Sequence, residues 1–482
     1  MGEKLTLFRP PFNRSIQVEA RPERLTTDPG AVLLREIMER LGIVSWLAQR
    51  ITDPRNPELV THPTAELLYT AILLPAQGWQ DQADADFLRY DPALRLSVST
   101  RKGTSPLSPA GGGPSAGRRP QGLPSQPTLS RFVGWLATPG NRRRLREALV
   151  ECARRRLWAQ GRGRLQRLTM DVDSLPVEVH GSQPGSQYHG YYKARIYHPI
   201  VALAAETGDI LDVRLRKGAV HTADGALQFI LELVDRVEGS TCRVASVRLD
   251  AGFPGEELLS GLEARGIPYV ARIRNNPVLG RMAASHLKRP PGRPPRQPRT
   301  WFHETTYRAE SWSRPRRAVL VVQERPGELF LHHFWLITSW SVEQLDAEAL
   351  LEHYRRRGTA EGYLGELMNV LRPALSSSPR PKGHYRGREP RKRYPSGDAF
   401  GQNEVLLLFC ALAYNVLHAA RVLLEEATSK GWSLKRLREL VLRVAARVLV
   451  HGRRVTVVVS RAAAWWWRAL WGKFLALRPM AP

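Results

Sequence analysis

The run Leu168-Thr169-Met170-Asp171-Val172-Asp173-Ser174 constrains the fold more than any other stretch of the chain. Leu168, Met170 and Val172 alternate with Thr169, Asp171 and Asp173. A period of two is the pattern of a β-strand with one face in a core. Both aspartates then project from the opposite face, two residues apart. Like charges so placed repel each other unless a cation or basic group compensates them. A solvated strand face tolerates such a pair weakly, so this strand alone leaves two readings open. What decides between them is whether the rest of the chain brings further carboxylates to the same place.

The strand opens an α/β stretch from Leu165 to Asn275. After Val177-Glu178-Val179-His180-Gly181 and a Gly/Tyr-rich turn at Tyr188 to Tyr192 come strand patterns at Ile196 to Ala205 and Ile210 to Leu215. Thr207-Gly208-Asp209 between them is a hairpin signal. Thr222 can N-cap a helix running to about Val237. The apolar strand Val244 to Leu249, a helix at Glu256 to Arg265 and a strand at Tyr269 to Ile273 follow. Strands and helices in this order predict a layered α/β architecture. Pro277 to Trp340 departs from it, with paired strands at Arg316 to Gln323 and Leu329 to Thr338 after the Pro/Arg-rich Lys288 to Thr300. Pro291-Gly292-Arg293-Pro294 contains the Gly-Arg-Pro of a minor-groove hook but has proline where the preceding arginine belongs.

The flanks are of other material. Residues 1–100 read as helical, with amphipathic patterns at Ala31 to Arg50, Thr64 to Ala76 and Gln82 to Arg89; a DNA-reading helical region and a plain bundle both fit. Arg101 to Pro127 holds six glycines and six prolines in 27 residues and reads as a linker. Residues 128–164 form a basic helical segment, with Arg142-Arg143-Arg144 and Arg154-Arg155-Arg156. Residues 376–400 are a basic loop, and 401–482 read as helices, with Trp465-Trp466-Trp467 unable to share one helix face.

A net charge of +27 and a pI near 10.8 favour a polyanionic partner, because neutralising phosphates releases their condensed counterions. No clean amphipathic Lys/Arg helix supports a membrane surface instead. The longest apolar run, Val405 to Ala420, is broken by Tyr414, Asn415 and His418 and falls short of the roughly 18 residues of a spanning helix. Three scattered cysteines exclude a disulfide framework and a Cys-ligated zinc site, and suit a reducing cytosol. The N-terminus shows no apolar secretory segment.

Two further carboxylates qualify. Asp250 ends an apolar strand just before Ala251-Gly252, where it can face the Asp171/Asp173 pair. On a helix from Leu345 to Leu371, Tyr354, Arg357, Glu361, Leu364 and Met368 fall on one stripe. The interior glycines Gly358, Gly362 and Gly365 each cost about 1 kcal/mol relative to alanine, a cost consistent with close approach of another backbone or a substrate. Two Asp and one Glu suit a two-metal site for phosphodiester displacement, with Mg²⁺, or Mn²⁺, as the hard cation. Lys193, Arg195, Arg214, Arg216 and Lys217 are candidates to hold the DNA backbone nearby. The plainer alternatives are that Asp250 caps the following helix and that Glu361 only pairs with Arg357 at i, i+4.

At these residues the chain resembles the DDE transposases of bacterial insertion sequences, in the branch with a Tyr-x₂-Arg-x₃-Glu-x₆-Lys signature and nearest the insertion-sequence thirteen-eighty type. Asp171-Val172-Asp173-Ser174, Tyr197-His198-Pro199, Arg214-Leu215-Arg216-Lys217-Gly218, Arg248-Leu249-Asp250-Ala251-Gly252-Phe253 and Tyr354 to Glu361 resemble its blocks in order. Gln126 to Phe132 and Ala411 to Asn415 match flanking blocks. The resemblance implies an RNase H-like mixed-sheet core (165–375) with a β-rich insertion (277–340), flanked by helical N- and C-terminal regions. It implies Asp173, Asp250 and Glu361 as metal ligands, Asp171 as a supporting carboxylate, and Tyr354 and Arg357 as contacts to the transposon end. It further implies cut-and-paste cleavage and strand transfer at terminal inverted repeats, double-stranded DNA as partner, a homodimer in the synaptic complex and a bacterial, nucleoid-associated setting. The signature's last position is Met368 instead of Lys, and Pro176 is expected to interrupt the strand after Asp173. An inactive DNA-binding derivative and a nuclease without strand transfer are the competing readings.

Overall fold

The computed structural model describes residues 9–18, 23–108, 122–161, 165–293, 295–378 and 395–478. The middle of the expected linker and most of the basic loop at 376–400 lie outside them. At the centre is one eight-stranded sheet. Its strands, in chain order, are β1 (Arg167–Ser174), β2 (Ile200–Ala204), β3 (Ile210–Arg214), β4 (Arg243–Leu249), β5 (Tyr269–Ile273), β6 (Arg299–Tyr307), β7 (Arg316–Glu324) and β8 (His332–Thr338). Laterally the order is β6-β7-β8-β5-β4-β1-β2-β3. β1, β2 and β3 form an antiparallel meander, while β4 and β5 run parallel to β1. Read from one edge, β3-β2-β1-β4-β5 with these directions is an RNase H-like sheet. Residues 299–338 add β6, β7 and β8 through an antiparallel pairing of β8 with β5, and so widen the sheet.

Alternation along the strands builds two cores. Leu168, Met170 and Val172 of β1 pack with Val247 and Leu249 beneath helices α1 (Ala226–Ser240) and α2 (Glu256–Ala264), through Phe229, Ile230, Leu233, Leu258, Leu259 and Leu262. Each such side chain, once fully buried, contributes about 1.5–3 kcal/mol. On the other face, α3 (Ala347–Arg355) buries Leu350 and Leu351 against Val270, Val319, Val321 and Leu336. Its neighbour α4 (Arg357–Glu366) continues toward the long helix α5 (Ala399–Thr428), which packs on Val201, Leu203 and Val213.

By length and composition α5 is apolar enough to cross a membrane, but most of its surface is covered by protein. It shares one hydrophobic cluster with the N-terminal helices Gly30–Leu41, Thr64–Gln77 and Gln126–Leu136. Its polar interruptions clamp the β2–β3 hairpin. Asn415 Oδ1 accepts from the Ile210 N–H and its Nδ2 donates to the Ile210 carbonyl, both at 2.9 Å, and the Tyr414 hydroxyl donates to the Gly208 carbonyl at 3.2 Å. Gly208 sits at φ +73°, the left-handed conformation such a tight turn requires.

Local signals misplaced several elements. The expected helix from Leu345 to Leu371 breaks at Arg356 into α3 and α4 and ends in a π-helical turn, Leu367–Leu371. α1 starts at Ala226 behind Gly225, at φ +67°, and not at Thr222. Ile196 to Ala205 divides into the short strand Ala194–Tyr197 and β2, separated by His198-Pro199. The C-terminal region is not all helical, since Ala446–His451 and Arg454–Val459 form a hairpin turning at Gly452, φ +56°, and Leu25–Thr26 pairs with its first strand. Pro176 does not interrupt β1, which ends at Ser174. Of the three adjacent tryptophans, Trp465 is 54% exposed, Trp466 packs edge-on against Trp432 and Trp467 Nε1 donates to the Val441 carbonyl at 2.9 Å.

Candidate active site

Parallel pairing of β1 with β4 sets Asp171 opposite Arg248 and Val172 opposite Leu249. Side chains at paired positions share a sheet face, so Asp171 and Arg248 meet in a buried fork, with Nε–Oδ1 and Nη2–Oδ2 both at 2.6 Å. Arg248 Nη1 also donates to the His353 carbonyl at 2.8 Å, and His353 Nε2 lies 3.2 Å from Ser246 Oγ. This network fastens the end of α3 to the middle of the sheet. Burial, with Arg248 and Arg356 nearby, holds the His353 imidazole down at about 4, so the ring is neutral near pH 7. Burial also raises Asp171 above the ordinary carboxylate range, with Arg248 opposing.

One step further along both strands, Asp173 and Asp250 project on that same face. Asp173 is near the end of β1, where its Oδ1 accepts the Ser174 N–H at 2.8 Å. Asp250 directly follows β4. It does not cap the next helix, since α2 begins at Glu256 behind Gly255. Glu361 arrives from α4, anchored by the buried Ala360 and Leu364. All three carboxylates converge on Arg357, the first residue of α4. Arg357 Nη2 lies 2.6 Å from Asp173 Oδ2, and Nη1 lies 2.7 Å from Glu361 Oε1 and 3.9 Å from Asp250 Oδ1. The i, i+4 pair of Arg357 with Glu361 therefore coexists with the wider cluster. The guanidinium is 6% exposed, whereas the carboxylates of Asp250 and Glu361 are 48% and 60% exposed.

Electrostatics follow from that burial. Asp173 is pushed up to about 6 by burial; Arg357 lowers it, while Asp250 and Glu361 raise it further. Against the cost of its own burial, Arg357 is held above its ordinary value by Asp173, Tyr354, Asp250 and Glu361. Tyr354 is half-buried on the preceding turn and burial pushes its hydroxyl up to about 12. Three carboxylates are the donor set that a hard divalent cation selects. The arrangement differs from a formed metal site in one respect: a guanidinium lies among the oxygens. Among the described residues, no group of three or more His, Cys, Asp or Glu side chains is placed to hold a metal ion.

The basic candidates separate into two sets. Lys193, Arg195 and Lys217 are exposed. Arg214 and Arg216 are held by partners within the protein. Arg214 pairs with Glu232, and Arg216 is buried, donating to the carbonyls of His198 at 2.9 Å, Thr222 at 2.8 Å and Asp224 at 2.9 Å. Burial lowers Arg216 to about 10, which leaves it charged and committed to those loops. Met368 packs half-buried against the apolar cluster. The roles of Arg248 and His353 escaped the sequence reading, although Arg248 stands two residues before Asp250 and so shares its strand face.

A family model described as transposase DDE domain group 1 matches residues 8–379. No curated protein matches the chain. Among solved structures, the chain is similar to a piggyBac transposase in a cryo-EM synaptic complex with hairpin DNA. That similarity has 14% identity and a TM-score of 0.40, over 86% of this chain and 79% of the other. With the family model spanning well over half of its length, the chain belongs to the transposase DDE domain group 1 family.

Proposed function

We propose that the protein is a DNA transposase that cuts and joins DNA at the terminal inverted repeats of an insertion sequence, with Asp173, Asp250 and Glu361 as its reactive centre. The observation that carries this reading is the meeting of three carboxylates from β1, the end of β4 and α4 on one guanidinium. Those carboxylates would hold a divalent cation, Mg²⁺ or Mn²⁺, which when bound would activate water or a 3′-hydroxyl and stabilise the leaving oxygen. The protein's own part is positional. The Asp171–Arg248–His353 network fixes α3 against β1 and β4, and so sets where Tyr354 and Arg357 stand beside the DNA end. Exposed Lys193, Arg195 and Lys217 would contact phosphates, and Gly358 and Gly362 leave open space along one side of Glu361 for a DNA backbone. A homodimer would hold two ends together, in a bacterial cytoplasm.

Asp173→Asn, Asp250→Asn and Glu361→Gln are each expected to abolish Mg²⁺-dependent cleavage of DNA bearing the element's ends while leaving its binding. Wild-type cleavage by any of them removes that residue from the centre. A second reading, a DNA-binding protein that no longer cuts, draws on Met368 in place of lysine and on the guanidinium among the carboxylates. Under it the wild type binds DNA but cleaves nothing with Mg²⁺ or Mn²⁺. Nicks without joined products would indicate a nuclease.

A further inference from the structure

Two buried arginines meet the two aspartates of β1, Arg248 from β4 and Arg357 from α4, and they are held very differently. Arg248 has a partner at each of Nε, Nη1 and Nη2. Arg357 is as buried, and its Nη1 and Nη2 reach Glu361 and Asp173, yet its Nε has no hydrogen-bond partner. Withdrawing Arg357 therefore breaks fewer bonds than withdrawing Arg248. It occupies the point shared by Asp173, Asp250 and Glu361, which is also where a cation common to the three would bind. A guanidinium and a divalent cation cannot share that point, because like charges at such separations repel strongly in a partly desolvated site.

We propose that Arg357 is the internal counter-cation of this centre in the DNA-free protein, and that a divalent cation enters only as its guanidinium leaves. The inference rests on the carboxylate set assigned above and adds an order of events to it. Entry is open from the Asp250 and Glu361 side, where both carboxylates are about half exposed. Exit is open as well: Gly358 and Gly362 are exposed and a Cβ built on either would meet nothing within 4 Å, so the helix surface along one side of Glu361 is bare. A DNA phosphate, with two non-bridging oxygens, offers the displaced guanidinium a bidentate anionic partner. Phosphate and metal then favour each other's binding, as linkage requires of two ligands that draw on one displaced group. Without DNA the centre stays metal-poor, which restrains indiscriminate cutting.

The test measures metal binding and needs no cleavage. Free Mn²⁺ is followed by electron paramagnetic resonance during titration of the full chain without DNA. Arg357→Gln is expected to bind Mn²⁺ at least tenfold more tightly than wild type, and the double variant Arg357→Gln/Asp173→Asn to lose that gain. Equal or weaker Mn²⁺ binding by folded Arg357→Gln overturns the proposal. Circular dichroism establishes that the variant is folded. If it is not, the wild type decides: phenylglyoxal labelling of Arg357, read by peptide mass spectrometry, should be slow alone and several-fold faster in millimolar Mn²⁺. A rate unchanged by Mn²⁺ overturns the proposal. Loss of the transposase reading would show as absent cleavage with this exchange intact, and loss of the exchange would leave cleavage intact.

Discussion

Asp171 and Asp173 are two residues apart on one strand face, and each faces an arginine to a different end. Asp171 meets Arg248 in a closed fork with both partners 2–3% exposed. Breaking such a pair by removing one partner leaves a buried charge uncompensated, which costs about 3–5 kcal/mol. Asp171→Asn should therefore lower the free energy of urea unfolding by about that amount. Asp250→Asn, at a half-exposed carboxylate, should stay within about 0.5 kcal/mol of wild type. Equal effects would show that the Asp171–Arg248 fork is not a structural anchor. Alternation alone could not rank the two aspartates. What separates them is Arg248, whose place opposite Asp171 depends on a strand pairing across 77 residues. His418 adds a pH dependence. Its Nε2–H donates to the Thr207 carbonyl at 2.6 Å and its Nδ1 faces Arg421, a neutral ring by geometry. Burial, with Arg156 and Arg421 adding to it and Asp209 opposing, lowers it to about 3. Above pH 6.5 both folded and unfolded forms are neutral and the stability is fully present. As pH falls below that value the unfolded chain takes a proton that the folded ring refuses, so stability is lost by up to about 1.4 kcal/mol per pH unit. Urea melts at pH 7 and pH 5 should show this loss in wild type and a smaller one in His418→Gln.

At the scale of elements, β1, β4 and β5 were legible because an apolar period or run fixes a strand whatever its partners. The same signal stands at two further places. Thr300, Trp301, Phe302 and Tyr307 are strand formers in β6 that follow a Pro/Arg-rich run, and Val455, Val457, Val458 and Val459 follow the turn at Gly452. The break at Arg356 was not legible, since its cause is tertiary: α3 is held by Arg248 and α4 by the cluster around Leu364 and α5. Glycines divide along the same line. A Cβ on Gly218 would lie 2.2 Å from the Ile196 carbonyl oxygen and under 3 Å from the backbone of Gln187, so Gly218→Ala should cost about 1–3 kcal/mol. Gly239, inside α1 with nothing within 4 Å, should gain about 0.4–1 kcal/mol as alanine. Thermal melts of the two variants should move in opposite directions; a Gly218→Ala melt at or above wild type would contradict the close packing of that loop.

At the scale of the molecule, the excess of positive charge pointed to a polyanion, yet composition could not say which cations are free. Many of the arginines are spent inside the protein: Arg156 on Asp209, Arg316 on Glu256 and Glu263, Arg142 and Arg146 on Glu404. Affinity for duplex DNA should fall linearly on a log–log plot against salt, and Lys193→Gln and Lys217→Gln should each flatten that slope by about one unit, whereas Arg216→Gln should destabilise the fold instead. The three carboxylates come from segments as far apart as Asp173 and Glu361, and only the folded sheet brings them to one point. Strand cleavage tests that convergence most directly. With DNA carrying the element's ends and Mg²⁺, the wild type should release 3′-hydroxyl ends, and Asp173→Asn, Asp250→Asn and Glu361→Gln should bind the same DNA and release none. Cleavage at the wild-type rate by all three variants would contradict it.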